Sequence, residues 1–451
     1  MGLVQQGTRL KCECMQPDYS RGYQRLVLIM AFLVIMVSLM DRYVVSILME
    51  QIKTDLSLTD TQLGWLVGPA FVVVHVLSQL PLARMADTLN RRNMIASAMA
   101  IWSLFTVAAG FAKTFPQLLI TRMGVGVSEA ACTPALVSLL SDYFPPERRA
   151  KAMSVITVGS VAGIGAGMLF GGFLGQQYGW RVALMLAGVP GVLLAIALML
   201  LIREPARSQG DADGNNEAVS LKHVVQVLWK KGSFRWLIVG AACLHVVMLG
   251  RGVWEPVFLI RSYGMEQSQA GLTYFFISPL AAVFGGITGG ILADRLCKRD
   301  LRWGLWLPAA AMLVTFPLSV TFLLMPTDLG VAQLGFPLAF VFSAVGSFTA
   351  GMGSPAAIAA AQNIVSSSMR ATTHAIWSMA ANLVGMGSGP LMVGLLSDYW
   401  QPALGNESLR YALVAVSGFA LLSAWGFWRG GNIFNRDVVV SMESTAPAAK
   451  A

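Results

Sequence analysis

Two opposite charges, Arg122 and Glu129, lie inside residues 117–143, an apolar stretch long enough to cross a bilayer. They are seven positions apart, so a helix places both on the same side about 10 Å apart along its axis. An ion alone in hydrocarbon is costly, and intramembrane charges therefore face a bundle interior or a wet cavity. The pair predicts the working site of a transporter, with a carboxyl that can carry a proton and a guanidinium that can hold an anion.

Two further charge pairs lie in apolar stretches. Asp41 and Arg42 are neighbours in the first stretch, and helix geometry points them about 100° apart, so one can face a central cavity while the other faces a neighbouring helix. Arg251 and Glu255 are one turn apart in the seventh stretch and can pair within their own helix.

From these pairs we predict two overlapping sets of site residues. The proton-coupling set is Asp41, Glu129, Arg122 and Arg42, and the substrate-binding set is Arg42, Arg122, Glu129, Arg251 and Glu255. Arg122 is the expected partner of either acid. For each residue the alternative is a structural tie between helices, and for Arg251 it is neutralisation by Glu255.

The composition indicates a chain with many membrane spans. Of its 451 residues 55% are hydrophobic and 12% are charged, against about 25% charged in soluble domains. Apolar runs of twenty or more residues predict an all-α integral membrane protein with twelve transmembrane helices in two six-helix bundles. The predicted spans are 24–49, 61–83, 93–112, 117–143, 149–174, 180–201, 234–260, 269–293, 303–325, 333–362, 371–397 and 409–429.

The spans divide the chain into five parts. Residues 1–22 are a polar cytoplasmic tail, 23–202 the first bundle, 203–233 a cytoplasmic linker, 234–430 the second bundle and 431–451 a second tail. The linker contains SQGDADGNNE, typical of a flexible connection, and then LKHVVQVLWKK, whose basic and apolar faces predict a surface-lying helix.

The basic residues are sorted by side. The net charge is +9, and most of the 32 lysine and arginine residues fall in the tails, the linker and the loops on their side of the membrane. This distribution obeys the positive-inside rule and predicts cytoplasmic termini. It does not indicate nucleic-acid binding. We expect a plasma (inner) membrane protein.

A short internal repeat relates the two halves. ARMADTLNRR (83–92) follows the second span and GILADRLCKR (290–299) follows the eighth, with the same acidic and basic positions in each. Matched loops at equivalent places predict a parallel repeat about an axis along the membrane normal. We interpret these residues as a conformational latch on the inner side: Asp87, Arg91, Arg92, Asp294, Lys298 and Arg299.

These loops resemble the signature G-x-L-A-D-R-x-G-R-K of the major facilitator superfamily, and 290–299 is the closer copy. Within that superfamily the first half is similar to the Spinster branch. The matching pieces are Met40-Asp41-Arg42, Trp102-Ser103-Leu104, Thr121-Arg122 with Gly124 to Ala130, Trp180 with Ala183-Leu184, and Arg203-Glu204-Pro205. Ser128 stands where Spinster proteins usually have glycine.

The resemblance implies a proton-linked carrier of lysolipids or sphingolipids that works by alternating access. We predict a secondary active transporter, not an enzyme, without cofactor or metal, with protons as coupling ion and a monomeric state. One alternative is the same fold carrying a small organic anion, with Arg42 and Arg122 as clamps. An alternative of another class, an intramembrane lipid-modifying enzyme, would need a nucleophile–base pair, and the sequence carries no such motif.

Overall fold

The structure is a computed structural model, and it describes residues 19–205, 221–329, 335–366 and 369–445. Within those ranges the chain is helical and has no β-strand. The helices form two halves of six spans each, with α8 (Leu221–Lys230) between them in sequence. Residues 1–18 of the predicted first tail, 206–220 of the predicted linker and 446–451 of the predicted second tail lie outside the described residues.

The first half contains seven helices that make six spans. They are α1 (Arg21–Leu56), α2 (Asp60–Val67), α3 (Pro69–Thr88), α4 (Arg91–Ala109), α5 (Phe115–Glu129), α6 (Cys132–Tyr143) and α7 (Pro146–Leu201). Helices α2 and α3 together form the second span, α5 and α6 the fourth, and α7 covers the fifth and sixth.

The second half has the same order of spans. Its helices are α9 (Gly232–Tyr263), α10 (Gln267–Phe275), α11 (Ala281–Cys297), α12 (Trp303–Leu324), α13 (Ala339–Asn363), α14 (Arg370–Leu404), α15 (Ser408–Ser417) and α16 (Phe419–Thr445). A π-helical turn, Phe276–Leu280, joins α10 to α11 within the eighth span. The predicted boundary at residue 430 falls inside α16, which continues as a helix to Thr445.

Nine helical segments of the described chain are long and apolar enough to cross a membrane. Two of them, Glu147–Leu201 and Thr372–Val438, are long enough to cross twice. The first reverses at Gly179, whose φ of 79° suits glycine, and the second at the turn Gly405–Glu407. Helix α4 begins with two arginines and is less apolar than these nine segments. Nine segments, with two of them crossing twice, and α4 make twelve spans.

The fourth span differs from its prediction as one continuous helix. It is interrupted at Ala130 and Ala131, directly after Glu129. Pro134 has no N–H to donate to the carbonyl of Ala130, so the helical ladder is broken at this point. The tenth span also begins later than predicted, at Ala339 rather than 333.

Glycines bring the fifth span directly onto the first. A Cβ atom at Gly163 would lie 2.4 Å from the carbonyl oxygen of Met36, and one at Gly167 would lie 2.7 Å from that of Met40. Only residues without a side chain allow this approach. The contact fixes the turn of α1 that carries Asp41 and Arg42. The end of the molecule that carries Asp60 is called the outer end, and the end that carries α8 is called the inner end.

Candidate functional site

Two cavities lie side by side between the halves. The smaller, about 130 Å³, is called the Arg42 cavity, and the larger, about 340 Å³, the Arg251 cavity. Tyr43 and Leu249 line both. The Arg42 cavity is lined by residues of both halves, including Arg42, Arg122, Phe71 and Asn382. The Arg251 cavity contains Arg251, Glu255, Tyr274, Ser278 and Ser347 among mostly apolar residues.

Glu129 is paired with Arg42 across the first half. The Arg42 Nε atom lies 3.0 and 3.1 Å from the two carboxylate oxygens of Glu129, and Nη2 lies 2.9 Å from Oε1. The Ser38 hydroxyl donates to the same carboxylate. The guanidinium also lies over the ring of Phe71, 4.6 Å from its centre. Arg42 thus faces the cavity and neutralises a carboxylate that is almost wholly buried.

Asp41 faces away from that pair, toward the third span. Thr106 donates a hydrogen bond of 3.2 Å to its Oδ2, while Oδ1 has no hydrogen-bond partner among the described residues. Asp41 is 1% exposed. Neighbouring residues of one helix therefore have separate surroundings, as their 100° separation predicts. A buried carboxyl with one free oxygen is suited to gaining and losing a proton.

Arg122 forms neither a hydrogen bond nor an ion pair with Glu129, one of the two acids expected to partner it, although its charge interacts electrostatically with both Asp41 and Glu129. Its side chain is 4% exposed, and within the described chain its Nε and Nη1 atoms have no hydrogen-bond partner. Two turns of helix separate it from Glu129, whereas Arg42 approaches the carboxylate directly from the facing helix α1. Arg122 thus lines the Arg42 cavity and holds two buried donors that have no acceptor among the described residues.

Arg251 and Glu255 pair within α9, and each has a further partner. Their closest atoms, Nη2 and Oε2, are 3.4 Å apart. The Ser319 hydroxyl accepts from Arg251, and the Ser343 hydroxyl donates to Glu255 at 2.7 Å. The pair is neutralised inside its helix, as one alternative held, and it still lines the Arg251 cavity. Its role in substrate binding remains a prediction.

The five predicted latch residues whose side chains are described do not come together in one cluster. Arg91 is buried and forms ion pairs with Asp142 and Glu204. These ion pairs join segments of the first half to one another at its inner end. The backbone N–H of Arg92 donates to the same Glu204. Asp294, Lys298 and Arg299 are exposed, and none of the three forms an ion pair with a described residue. The side chain of Asp87 lies outside the described part.

Sequence reasoning missed several polar partners. Ser38 lies four positions before Arg42, and that spacing on one helix face could have indicated it. Thr106, Ser319 and Ser343 are single hydroxyls in apolar spans, and nothing in their local sequence distinguishes them from residues that bond to their own helix. Tyr43 separates the two cavities and carries no motif either.

Known proteins are similar to this chain in sequence and in fold. Residues 31–332 match the model of the Major Facilitator Superfamily. An MFS-type efflux pump of Mycolicibacterium smegmatis is 31% identical over 88% of this chain and 90% of its own length. Protein spinster homolog 1 of Rattus norvegicus is 24% identical over 92% and 82%. The crystal structure of a bacterial homologue of the human lysosomal transporter Spinster, inward-facing and unoccupied, superposes with a TM-score of 0.84 at 28% identity, covering 93% of this chain and 99% of that one.

Proposed function

Because this chain belongs to the major facilitator superfamily and, within it, to the Spinster-type transporters, we propose that it is a proton-coupled secondary active carrier of an amphipathic lipid. The substrate class is a lysolipid or a sphingoid lipid. The observation that supports it best is the Arg251 cavity, because residues on both sides of the seam between the fifth and eighth spans line it.

The seam is tight toward the outer end. A Cβ atom at Gly271 would lie 2.4 Å from the Met168 carbonyl oxygen, and one at Gly165 would lie 2.8 Å from the ring of Phe275. Inward of these contacts both sides of the seam line the Arg251 cavity, with Val161 and Ile164 from the fifth span and Ser278, Pro279 and Val283 from the eighth. An acyl chain can enter sideways along such a route, whereas a small hydrophilic ion gains nothing from it.

The two cavities suit the two ends of an amphipathic molecule. In this proposal an anionic headgroup binds Arg42 and Arg122, since guanidinium groups recognise phosphate and carboxylate. The tail occupies the largely apolar Arg251 cavity. Asp41 and Glu129 exchange protons with water during the cycle, and Arg42 is released when Glu129 is protonated.

A small organic anion is the second candidate substrate. The Arg42 cavity favours it, because two arginines line a space of only about 130 Å³. An intramembrane enzyme, the alternative of another class, has no support from the transporter family to which the chain belongs.

Binding to the purified protein separates these candidates. We expect a lysophospholipid or a phosphate-bearing sphingoid lipid to bind and a four-carbon dicarboxylate to bind more weakly by roughly tenfold or more. Gly286→Trp should block the Arg251 cavity and abolish lipid binding, whereas Gly290→Trp, one turn away where a Cβ atom meets nothing within 4 Å, should not. Tight dicarboxylate binding that Gly286→Trp leaves intact would establish the anion instead.

The proposed orientation places both termini in the cytoplasm of a plasma (inner) membrane, on the strength of the sorted basic residues. A cysteine at Asn215, in the linker outside the described residues, should resist a membrane-impermeant thiol reagent applied to intact cells. A cysteine at the exposed Asn406, in the turn between α14 and α15, should react. The reverse pattern of labelling would overturn the orientation.

A further inference from the structure

A buried carboxylate at the outer end ties the two halves together. Asp60 begins α2 and is 2% exposed. Its Oδ1 atom accepts from Lys53 at 2.7 Å and from Nη2 of Arg261 at 2.8 Å. Its Oδ2 atom accepts from Nη1 of Arg261 at 2.8 Å and from the Ser397 hydroxyl at 2.7 Å. Lys53 belongs to the first half, while Arg261 and Ser397 belong to the second.

A second carboxylate makes the reciprocal contact. Asp398 in α14 accepts the backbone N–H groups of Asp60 at 3.0 Å and Thr61 at 2.7 Å, so the second half caps a helix of the first. Such a cap uses donors that a helix leaves free at its N-terminus. Arg261 also bonds Glu50 of α1 at 2.7 Å. Within the described chain, every ion pair that joins the two halves lies in this cluster.

If the two halves separated at the outer end, Asp60 and the N-terminus of α2 would still have partners within the first half. Asp60 would keep Lys53, and α2 would keep its own capping box, in which Thr59 and Gln62 bond each other's backbone N–H groups. Arg261 has no such reserve, since both of its carboxylate partners, Glu50 and Asp60, belong to the opposite half. Separation of the two halves at the outer end therefore removes both carboxylates from Arg261, and water must solvate its charge instead.

We propose that Asp60, Arg261 and Asp398 form the outer gate of the carrier, which holds the outer end closed and must break for each transport cycle. This gate does not depend on which substrate is carried or on proton coupling. It requires only that the protein works by alternating access. Removing the charge of Asp60 leaves Arg261 with Glu50 alone, and loss of one partner from a buried ion pair strongly destabilises the state that contains it.

The test measures distances in the full-length protein by double electron–electron resonance. Spin labels at Lys113 and Asn406 report the outer end, and labels at Asn93 and Lys298 the inner end, all four positions being exposed. The native cysteines are replaced in every variant. Asp60→Asn should raise the ratio of outward-open to inward-open molecules roughly tenfold or more, lengthening the outer distance and shortening the inner one.

Asp55→Asn is the matched control. Asp55 also lies at the outer end, but its partners Arg181 and Trp180 belong to its own half, so neither distance should change. If Asp60→Asn does not fold, Asp398→Asn and Ser397→Ala remove other contacts of the gate and should shift the same distances in the same direction. Unchanged distances in the folded gate variants, or an equal shift with Asp55→Asn, would overturn the proposal.

Discussion

Replacing Asp41 with Asn and Glu129 with Gln in one molecule should leave a folded protein whose transport no longer depends on pH. Both acids are buried in the first half, and each has a neutral hydroxyl partner that an amide can also bond, Thr106 and Ser38. Burial favours the protonated carboxyl and a nearby guanidinium favours the carboxylate, so a change of facing changes proton binding. Proton binding that differs between the two facings shifts the balance between them, and this makes transport depend on pH.

Transport rates of the double variant in proteoliposomes, measured across a range of pH, check this expectation. The pH profile should become flat, while Asp55→Asn, at the outer end of the same half, keeps the profile of the native protein. Double-variant transport with an unchanged rate and an unchanged profile would show that the two acids are structural and that coupling resides elsewhere.

Arg122→Ala should weaken binding of an anionic headgroup by roughly tenfold or more, because a charge-assisted contact is worth about 1.5–3 kcal/mol. Arg122 is buried, and its Nε and Nη1 atoms have no partner among the described residues, so a ligand is the natural acceptor. Affinity is measured for a phosphate-bearing lysolipid and for a neutral monoacylglycerol. The loss should be confined to the charged ligand.

Arg42→Ala is the informative comparison for that variant. It should lower the melting temperature, since Glu129 would keep only Ser38, and Glu129→Gln in the same molecule should restore stability. Arg122→Ala should change stability less. A large fall in melting temperature for Arg122→Ala, with affinity for the charged ligand unchanged, would assign Arg122 a purely structural role.

The spans and the separate facings of Asp41 and Arg42 follow from the sequence alone, because apolar length and helical angle are local properties. The partner of Glu129 does not follow from them. Spacing within one helix indicated Arg122, whereas the observed partner, Arg42, lies 87 positions away on another helix. The break after Glu129 has a local cause, because Pro134 lacks the N–H that would continue the helix.

The outer gate illustrates the same limit more strongly. Glu50, Lys53 and Asp60 stand at the ends of apolar stretches, where charged residues are ordinary, and no motif marks them. Arg261 meets Asp60 across 201 positions of sequence, and that juxtaposition exists only once the halves are packed. Sequence patterns located the charges inside the membrane, while tertiary packing decided which of them meet.

The most direct test of the central claim measures lipid and proton movement together. Protein reconstituted into liposomes receives a labelled lysophospholipid under an imposed pH gradient, and both lipid transfer and internal pH are recorded. The proposed function predicts lipid transfer that follows the gradient, with a matching proton flux that the double variant Asp41→Asn/Glu129→Gln abolishes. Lipid transfer indifferent to the gradient, or a proton flux driven by a dicarboxylate and not by the lipid, would contradict it.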